Sequence, residues 1–364
     1  MRVARCRWTV LSLLALCAVA FAQEGAEKAA PEKPWRGGWG GMRDPEKVIA
    51  CARELQFNAL IVNGPVDRMN DFIALAKKEG IDVYYWFSPI ARGKELEPWR
   101  QHMRPEDEQR LLEIRADKDP KKSGYQSGGE PLPGHHDVLR ARLLCFHRPE
   151  VIEHCKRKIA ETMKACPGLA GVALDYFGYQ NYRGCHCPVS EKRFEAYRKA
   201  NPDLPRDKAF EQFSLTTLVD TINEMSDHVR SIRPDAKVAI HVYPTFLPEP
   251  LYGNRLNLDY CCQTVAWFFE PYWPDEKVRR YTRIVVNEAK KHYPRQQGIP
   301  FVGVYVGRKI ADKPPERLAR ELRLIREAGD TQSLSVCTFG DLVKHEAIRA
   351  VFKDALDATD TTAH

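Results

Sequence analysis

The chain has 364 residues, of which 43% are hydrophobic and 29% are charged, and its formal net charge is +7. Lys and Arg are interspersed with Asp and Glu along segments such as 314–328, which is typical of a solvated helix face. Because the sequence lacks the clustered basic residues of a nucleic-acid-binding surface, nucleic acid is excluded as a partner. A chain of this length can form two domains or one barrel.

The first residues have the pattern of a secretory signal peptide. Three arginines precede an apolar run over residues 9–20, and Ala20-Phe21-Ala22 forms a small-x-small cleavage site. We therefore expect residues 1–22 to be removed and the mature protein to be secreted or periplasmic. The apolar run is shorter than the roughly 20 residues of a membrane-spanning helix, so no membrane span is expected. Residues 23–34, rich in Glu, Ala, Lys and Pro, predict a disordered spacer.

Strand-like runs recur along the rest of the chain, and segments with helical periodicity separate most of them. The predicted strands are 36–40, 58–63, 82–87, 171–176, 237–243, 263–269, 301–306 and 333–339. Amphipathic helices are predicted over 45–56 and 71–79. This repetition of βα units predicts an α/β fold, the closed (β/α)8 TIM barrel, as a single domain over residues 35–358.

A doubly wound open sheet is the alternative fold. The first predicted strand and its turn read Gly37-Gly38-Trp39-Gly40-Gly41, which lacks the Gly-x-Gly-x-x-Gly spacing of a dinucleotide-binding turn, and no cofactor is expected. One long insertion, residues 91–140 after the third strand, is charged and rich in Gly and Pro. Because loops after barrel strands surround the active site, we expect this insertion to form a wall of the substrate cleft.

The residues that follow the predicted strands should converge at one end of the barrel. Most of them are aromatic residues and carboxylates. Flat rings cover the apolar faces of sugars and polar groups bond their hydroxyls, so this mixture predicts a carbohydrate substrate. The predicted substrate-binding residues are Trp39, Asn63, Trp86, Tyr176, Tyr179, His241, Tyr243, Tyr272, Trp273, Tyr305, Arg308 and Asp341.

Hydrolysis of a glycosidic bond uses two carboxyl groups, about 5–5.5 Å apart in retaining enzymes and about 6.5–9.5 Å apart in inverting ones. Asp175 follows the apolar run 171–174, and Glu270 closes the run 265–269. We predict Asp175 as the nucleophile and Glu270 as the acid/base of a retaining reaction, with Asp341 as the reserve acid. The ordinary alternatives are that Asp175 caps the following loop and that Glu270 is a solvated loop residue.

The chain resembles the glycoside hydrolase superfamily of (β/α)8 barrels, and in particular uncharacterised glycosidase-like barrels of secreted bacterial proteins. The resemblance rests on Gly171-Val172-Ala173-Leu174-Asp175-Tyr176 and on the segment after it. In such families a Cys-x-Cys-x-x-Cys segment often opens the next helix; here Cys185 and Cys187 are present and Ser190 takes the third place. Retaining α-fucosidase-like and α-galactosidase-like barrels look similar in their strand-four nucleophile and strand-six acid/base, which implies these roles for Asp175 and Glu270.

Nine cysteines follow the predicted signal peptide, so at least one thiol must stay free or pair between chains. Cys185, His186 and Cys187 could begin a zinc site, but a structural site needs four ligands, and a disulfide or buried thiols are the alternatives. No metal is included in the predicted site.

Two other functions remain open. The first is a non-catalytic carbohydrate-binding barrel, which would keep the aromatic residues but lack a competent carboxylate pair. The second is a metal-dependent amidohydrolase, which fits poorly because the first strand offers no His-x-His pair. His135-His136 lies in the insertion, where a solvated position is expected.

Overall fold

The computed structural model describes residues 33–116, 138, 141–243, 255–270, 272–288, 296–308 and 312–357. The chain divides after Pro34, and the compact unit that begins at Trp35 contains the barrel. Residues 1–32, which include the predicted signal peptide and most of the predicted spacer, lie outside the described residues.

Eight parallel strands form a closed barrel, in which each strand pairs with the next along the chain and β8 pairs with β1. The strands are β1 (Arg36–Trp39), β2 (Ala59–Val62), β3 (Asp82–Phe87), β4 (Gly171–Leu174), β5 (Lys237–Val242), β6 (Tyr260–Ala266), β7 (Gln297–Gly303) and β8 (Leu334–Cys337). Because the first and last strands pair, the predicted (β/α)8 barrel is confirmed and the open sheet is excluded.

The short strands lack an alternating pattern because the barrel buries both of their faces. Every residue of β2 and of β4 is buried. At Gly171, which begins β4, a Cβ atom would clash with the backbone carbonyl of Lys237 on β5. The absence of a side chain there lets the two strands pair closely, directly below the position of Asp175.

The predicted bounds of the sixth and seventh strands are wrong by several residues. β7 covers Gln297–Gly303, whereas the prediction was 301–306. β6 begins at Tyr260 and ends at Ala266, whereas the prediction was 263–269, and its pairing with β7 shifts register between Thr264 and Ala266. The apolar run continues past the strand because Trp267 and Phe268, each 2% exposed, pack into the core above it. Burial alone therefore extended the predicted strand too far.

Among the described residues, helices follow seven of the eight strands, the exception being β5, and they cover the outside of the barrel. They are α1 (Pro45–Glu54), α2 (Val66–Lys78), α3 (Pro105–Ala116), α4 (Pro149–Ala165), α5 (Pro188–Ala200), α6 (Arg206–Ile232), α7 (Asp275–Glu288), α8 (Pro315–Gly329), α9 (Phe339–Lys344) and α10 (Glu346–Asp357). Within the part of the chain that the structure describes, no helix combines the length and the apolar character needed to cross a membrane.

The connection between β3 and β4 contains the predicted insertion. Its described part includes a short 3-10 helix (Lys94–Trp99) and α3, and two antiparallel bridges, Ile90 to Leu143 and Arg100 to Leu144, join its ends. Residues 117–137, 139 and 140, with His135-His136 among them, lie outside the described residues. Whether the insertion borders the substrate cleft stays a prediction.

Candidate active site

Asp175 is the first residue after β4, and it is 2% exposed. The Nε1–H of Trp86 donates to its Oδ2 atom at 3.0 Å. Tyr176 adopts a left-handed backbone conformation with φ of 59°, and its backbone N–H donates to Oδ1 of Asp175 at 2.9 Å. A non-glycine residue in this conformation is uncommon and is often found at functional sites. Both carboxylate oxygens are thus held in place at the carboxyl end of the barrel.

His241 is the second polar group at this end of the barrel, and it is 3% exposed. Its Nδ1 atom lies 3.2 Å from Oδ1 of Asp175, and its Nε2 atom lies 3.0 Å from the Thr264 hydroxyl. Because an ionised carboxylate only accepts hydrogen bonds, Nδ1 donates to Asp175, while Nε2 shares a hydrogen bond with the Thr264 hydroxyl. The imidazole ring also stacks on Phe301 with a centroid distance of 3.8 Å. The two hydrogen bonds and the stacking contact together fix the orientation of the ring.

Seven rings form a continuous group around Asp175, which we call the aromatic belt. Each ring centroid lies between 4.3 and 6.2 Å from a neighbouring one. Trp39 and His241 are buried and form its base, whereas the tryptophan and tyrosines around them are partly exposed. The belt consists of Trp39, Trp86, Tyr176, His241, Tyr243, Phe268 and Tyr305. Six of these were predicted from the sequence, and Phe268 was not.

Besides Tyr272, two of the predicted aromatic residues lie outside the belt. Tyr179 is fully buried, and its hydroxyl donates to the backbone carbonyl of Ser214 on α6 at 3.1 Å. Trp273 is 3% exposed and stacks on Trp267 with a centroid distance of 5.9 Å. Both rings therefore contribute to packing between loops and helices. The structure therefore does not bring these two side chains into the belt with Trp39, Tyr243 and Tyr305.

The other predicted polar residues occupy the rim. Asn63 follows β2 and is exposed. Arg308 lies with its guanidinium carbon 3.9 Å from the centroid of the Tyr305 ring. Tyr272 is half-buried, and its hydroxyl has no hydrogen-bond partner among the described residues. Burial, with the nearby Glu270 carboxylate as the next cause, raises the pKa of Tyr272.

Two further carboxylates were predicted near Asp175, and they differ in burial. Glu270 comes four residues after the end of β6 and is exposed. Asp341 on α9 is 5% exposed; it accepts from the backbone N–H of Val306 at 3.3 Å and from Arg308 at 3.5 Å. Burial raises the pKa of the Cys337 thiol, and the charges of both Asp175 and Asp341 raise it further. The charges of Asp341 and Asp175 thus both influence the Cys337 thiol at the end of β8.

The segment that carries Glu270 is anchored by a buried ion pair that the sequence analysis missed. Lys313 is 1% exposed; its ammonium donates to the carbonyl of Trp267 at 2.8 Å and to Glu321 at 2.7 Å. Arg317 donates to the same carboxylate at 2.8 Å and to the carbonyl of Trp273 at 2.5 Å. Burial lowers the pKa of Lys313. The two carbonyls flank Glu270 in the chain, so this network fixes both ends of its loop.

A thiol cluster, formed by Cys145, Cys185 and Cys187, lies beside the loop that follows Asp175. The three sulfur atoms lie within 4.8 Å of one another, all three residues are buried, and each thiol is free. His147 contributes an imidazole 4.0 Å from the Cys145 sulfur, and burial, followed by the charge of Arg193, lowers its pKa to about 4. Among the described residues, the three cysteines form a group whose ligand atoms lie close enough together to hold a metal ion.

His186, the histidine that the sequence places between two of these cysteines, makes its contacts outside the cluster. His186 stacks on Phe210 and contacts Glu191 at 2.8 Å through its Nδ1 atom. Cys145 and His147 were missed because they lie far from Cys185 in the chain. Their Cys-x-His spacing, set beside the Cys-x-Cys of residues 185–187, is the signal that could have identified them.

No protein-family model matches the sequence, and no curated protein sequence matches it. Among solved structures, a β-galactosidase from Rahnella sp. R3 matches with a TM-score of 0.57 and 13% identity, over 92% of this chain and 57% of that one. A β-galactosidase from the psychrophilic Marinomonas ef1 matches with a TM-score of 0.54 and 11% identity, over 89% of this chain and 59% of that one. The GH42 β-galactosidase Gan42B from G. stearothermophilus gives a TM-score of 0.52 and 12% identity, over 90% of this chain and 57% of that one.

These matches confirm, for the fold, the resemblance to glycoside hydrolase (β/α)8 barrels. The chain spans less than two thirds of the length of each β-galactosidase, at 57% and 59%. At identities of 11–13% the shared feature is the barrel itself, and the chemistry has to be argued from the residues of this chain.

Proposed function

We propose that this protein is a glycoside hydrolase and that Asp175 is its essential carboxylate. The observation that carries the proposal is a buried carboxylate at the end of β4, oriented by Trp86, Tyr176 and His241 inside a belt of aromatic rings. Active sites of barrel enzymes lie at the carboxyl ends of the strands. Aromatic rings beside hydrogen-bonding groups suit a sugar, so the substrate class is an oligosaccharide or a polysaccharide.

The roles follow from the chemistry of retaining hydrolysis, in which one carboxylate attacks the anomeric carbon and a second protonates the leaving oxygen. Asp175 has the fixed orientation that a nucleophile requires. Glu270 follows β6 and therefore lies, like Asp175, at the carboxyl ends of the parallel strands, where an acid/base would be needed. Asp341, buried and bonded to Val306 and Arg308, is the second candidate for this role.

We also propose that the protein is exported after loss of residues 1–22.

The test is an activity screen of the purified protein against aryl glycosides and natural glycans, followed by Asp175→Asn on any substrate that is cleaved. We expect the variant to lose at least about 10³-fold in kcat, because removal of one member of a catalytic carboxylate pair blocks the first chemical step. Asp82→Asn is the matched control, because Asp82 begins β3 at the opposite end of the barrel. Equal activity of the two variants would refute the role of Asp175.

The exposure of Glu270 favours one second candidate, a carbohydrate-binding barrel without catalysis. Such a protein would bind glycans in calorimetry with no hydrolysis on prolonged incubation. Its affinity for glycans would fall when Tyr243 or Tyr305 is replaced by Ala. Neither the unmodified protein nor Asp175→Asn would hydrolyse any glycan. Turnover of any glycan that is abolished by Asp175→Asn excludes this candidate.

A further inference from the structure

The thiol cluster has the dimensions of a tetrahedral metal site. Cys145 and Cys187 have their sulfur atoms 3.6 Å apart, and the Cys185 sulfur lies within 4.8 Å of both. Four ligands around zinc, with Zn–S bonds of about 2.3 Å, place neighbouring sulfur atoms about 3.8 Å apart. All three cysteines are buried, so the sulfur atoms are already gathered and desolvated. A fourth ligand atom would complete the site.

His147 offers that atom through Nδ1, which lies 4.0 Å from the Cys145 sulfur and outside the group of three sulfur atoms that are within 4.8 Å of one another. The Thr217 hydroxyl donates to the carbonyl of Phe213 at 2.9 Å, and it therefore accepts from Nε2–H of His147, 2.9 Å away. The proton on Nε2 leaves an unprotonated Nδ1, which lies 4.0 Å from the Cys145 sulfur. The ring is also stacked on Phe213 with a centroid distance of 4.7 Å. An imidazole oriented by a hydrogen bond from its other nitrogen is the usual arrangement of a metal ligand.

Ser190 marks the point on which these ligands converge. Its hydroxyl oxygen lies 3.3 Å from the Cys145 sulfur, 3.3 Å from the Cys187 sulfur and 2.7 Å from Nδ1 of His147. A neutral hydroxyl is a poor zinc ligand beside thiolates, and rotation of this short side chain frees the volume between the four ligands. Ser190 is therefore a neighbour of the site that metal binding does not require.

We propose that the protein binds one zinc ion through three thiolates and one imidazole, from Cys145, Cys185, Cys187 and His147. Soft sulfur ligands with one nitrogen in tetrahedral positions select zinc over the oxygen-binding ions calcium and magnesium. A disulfide between Cys145 and Cys187 is the competing state of the same atoms. It would require the sulfur atoms to approach to about 2.05 Å and would leave Cys185 and His147 unused.

The ion would join segments on both sides of the loop that begins at Asp175. Cys145 and His147 precede α4, and Cys187 is the N-cap residue of α5. Phe146, between the first two ligands, stacks on Phe177 with a centroid distance of 5.5 Å. The ion would therefore hold the loop over residues 175–187 against the start of α4. This role is structural and does not depend on the proposed hydrolase activity.

The first test measures zinc in the full protein, purified without chelator, loaded with Zn²⁺ and dialysed. We expect one zinc ion per chain by mass spectrometry of the native protein and by elemental analysis, with all four ligands required. Stepwise modification of the thiols should release zinc in parallel with the loss of free thiols. A chain that retains no zinc after loading, or one that shows a Cys145–Cys187 disulfide by peptide mapping, overturns the proposal.

The second test uses paired variants. His147→Ala and Cys187→Ser should reduce the zinc content about tenfold or more, and Thr217→Val should weaken zinc binding by about 10-fold through the orientation of His147. Ser190→Ala and Cys155→Ala are the controls. Ser190 contacts the ligands but is not expected to bind the zinc ion, and Cys155 is a buried thiol on α4, outside the thiol cluster. Both should keep one zinc ion. Loss of zinc in Ser190→Ala with retention in His147→Ala would contradict the ligand set.

If the ligand variants do not fold, cobalt substitution of the unmodified protein gives the same answer. Co²⁺ bound by three thiolates and one imidazole shows the strong visible bands of a tetrahedral site and thiolate charge-transfer absorption. The spectrum of a six-coordinate cobalt site, with weak visible bands and no charge transfer, overturns the proposal.

Discussion

His241 contacts Asp175 and Thr264 with its two nitrogens, so a single ring orients the carboxylate and is itself oriented by the barrel. We expect His241→Ala to reduce kcat about 10–100-fold with little change in KM, because misplacing a reacting group costs rate more than binding. His241→Asn should recover part of this loss, since the amide nitrogen can occupy the Nδ1 position. Steady-state kinetics on a cleaved aryl glycoside check both variants. An increase in KM alone would show that His241 binds substrate and does not position Asp175.

Asp175 and Glu270 should respond differently to the leaving group. Asp175→Asn should abolish formation of the glycosyl-enzyme on every substrate. Glu270→Gln should spare the first step for good leaving groups, which need no protonation, and leave an intermediate that azide intercepts. Product analysis for a glycosyl azide checks this, with Asp341→Asn examined in parallel. An azide product from Asp341→Asn alone would move the acid/base role to Asp341, and inversion of configuration would make Asp175 a base.

At the scale of elements, the segment between β6 and α7 depends on a cation with no solvent contact. Lys313→Met removes the partner of the Trp267 carbonyl and leaves Glu321 with Arg317 alone. We expect a loss of about 3 kcal/mol in the free energy of unfolding, measured by urea denaturation, because the buried Glu321 carboxylate loses one of its two cations and the Trp267 carbonyl loses the Lys313 hydrogen bond. Lys313→Met combined with Glu321→Leu should lose less than the sum of the single variants. Arg53→Met, in an exposed pair with Glu79, is the control and should change stability by under about 1 kcal/mol.

The same segment shows how far the sequence could be interpreted. Its apolar run predicted burial correctly, but burial does not distinguish strand pairing from packing above the barrel, so Glu270 was expected at the end of a strand that stops at Ala266. Asp175 could be placed because Gly171–Leu174 is short and ends where the aromatic residues begin. The positions of Tyr179 and Trp273 could not be predicted, because the sequence does not show which side chains of a loop point inward.

At the scale of the whole molecule, the repeated alternation of strand-like and helical segments was the basis for predicting the fold. Eight strand-like runs, most of them separated by segments with helical periodicity, predict a closed barrel without any single decisive residue. What repetition cannot give is contact between distant loops. Cys145 meets Cys187, and Lys313 meets the carbonyl of Trp267, only through the closed fold. The structure was therefore needed to show that Cys145 joins Cys185 and Cys187 and that Lys313 pairs with Glu321.

Export is the remaining prediction for the whole chain. Signal peptidase requires small residues one and three positions before the cleaved bond, which are Ala22 and Ala20 here. When the full chain is expressed with its own first residues in a bacterium, the exported protein should begin at Gln23, as measured by intact mass and N-terminal sequencing. Ala22→Arg should block cleavage, because the enzyme's small-residue pocket cannot hold the side chain, whereas Phe21→Leu at the intervening position should be cleaved normally. Exported protein that retains Met1, or equal cleavage of both variants, would show that residues 1–22 are not a signal peptide processed at this bond.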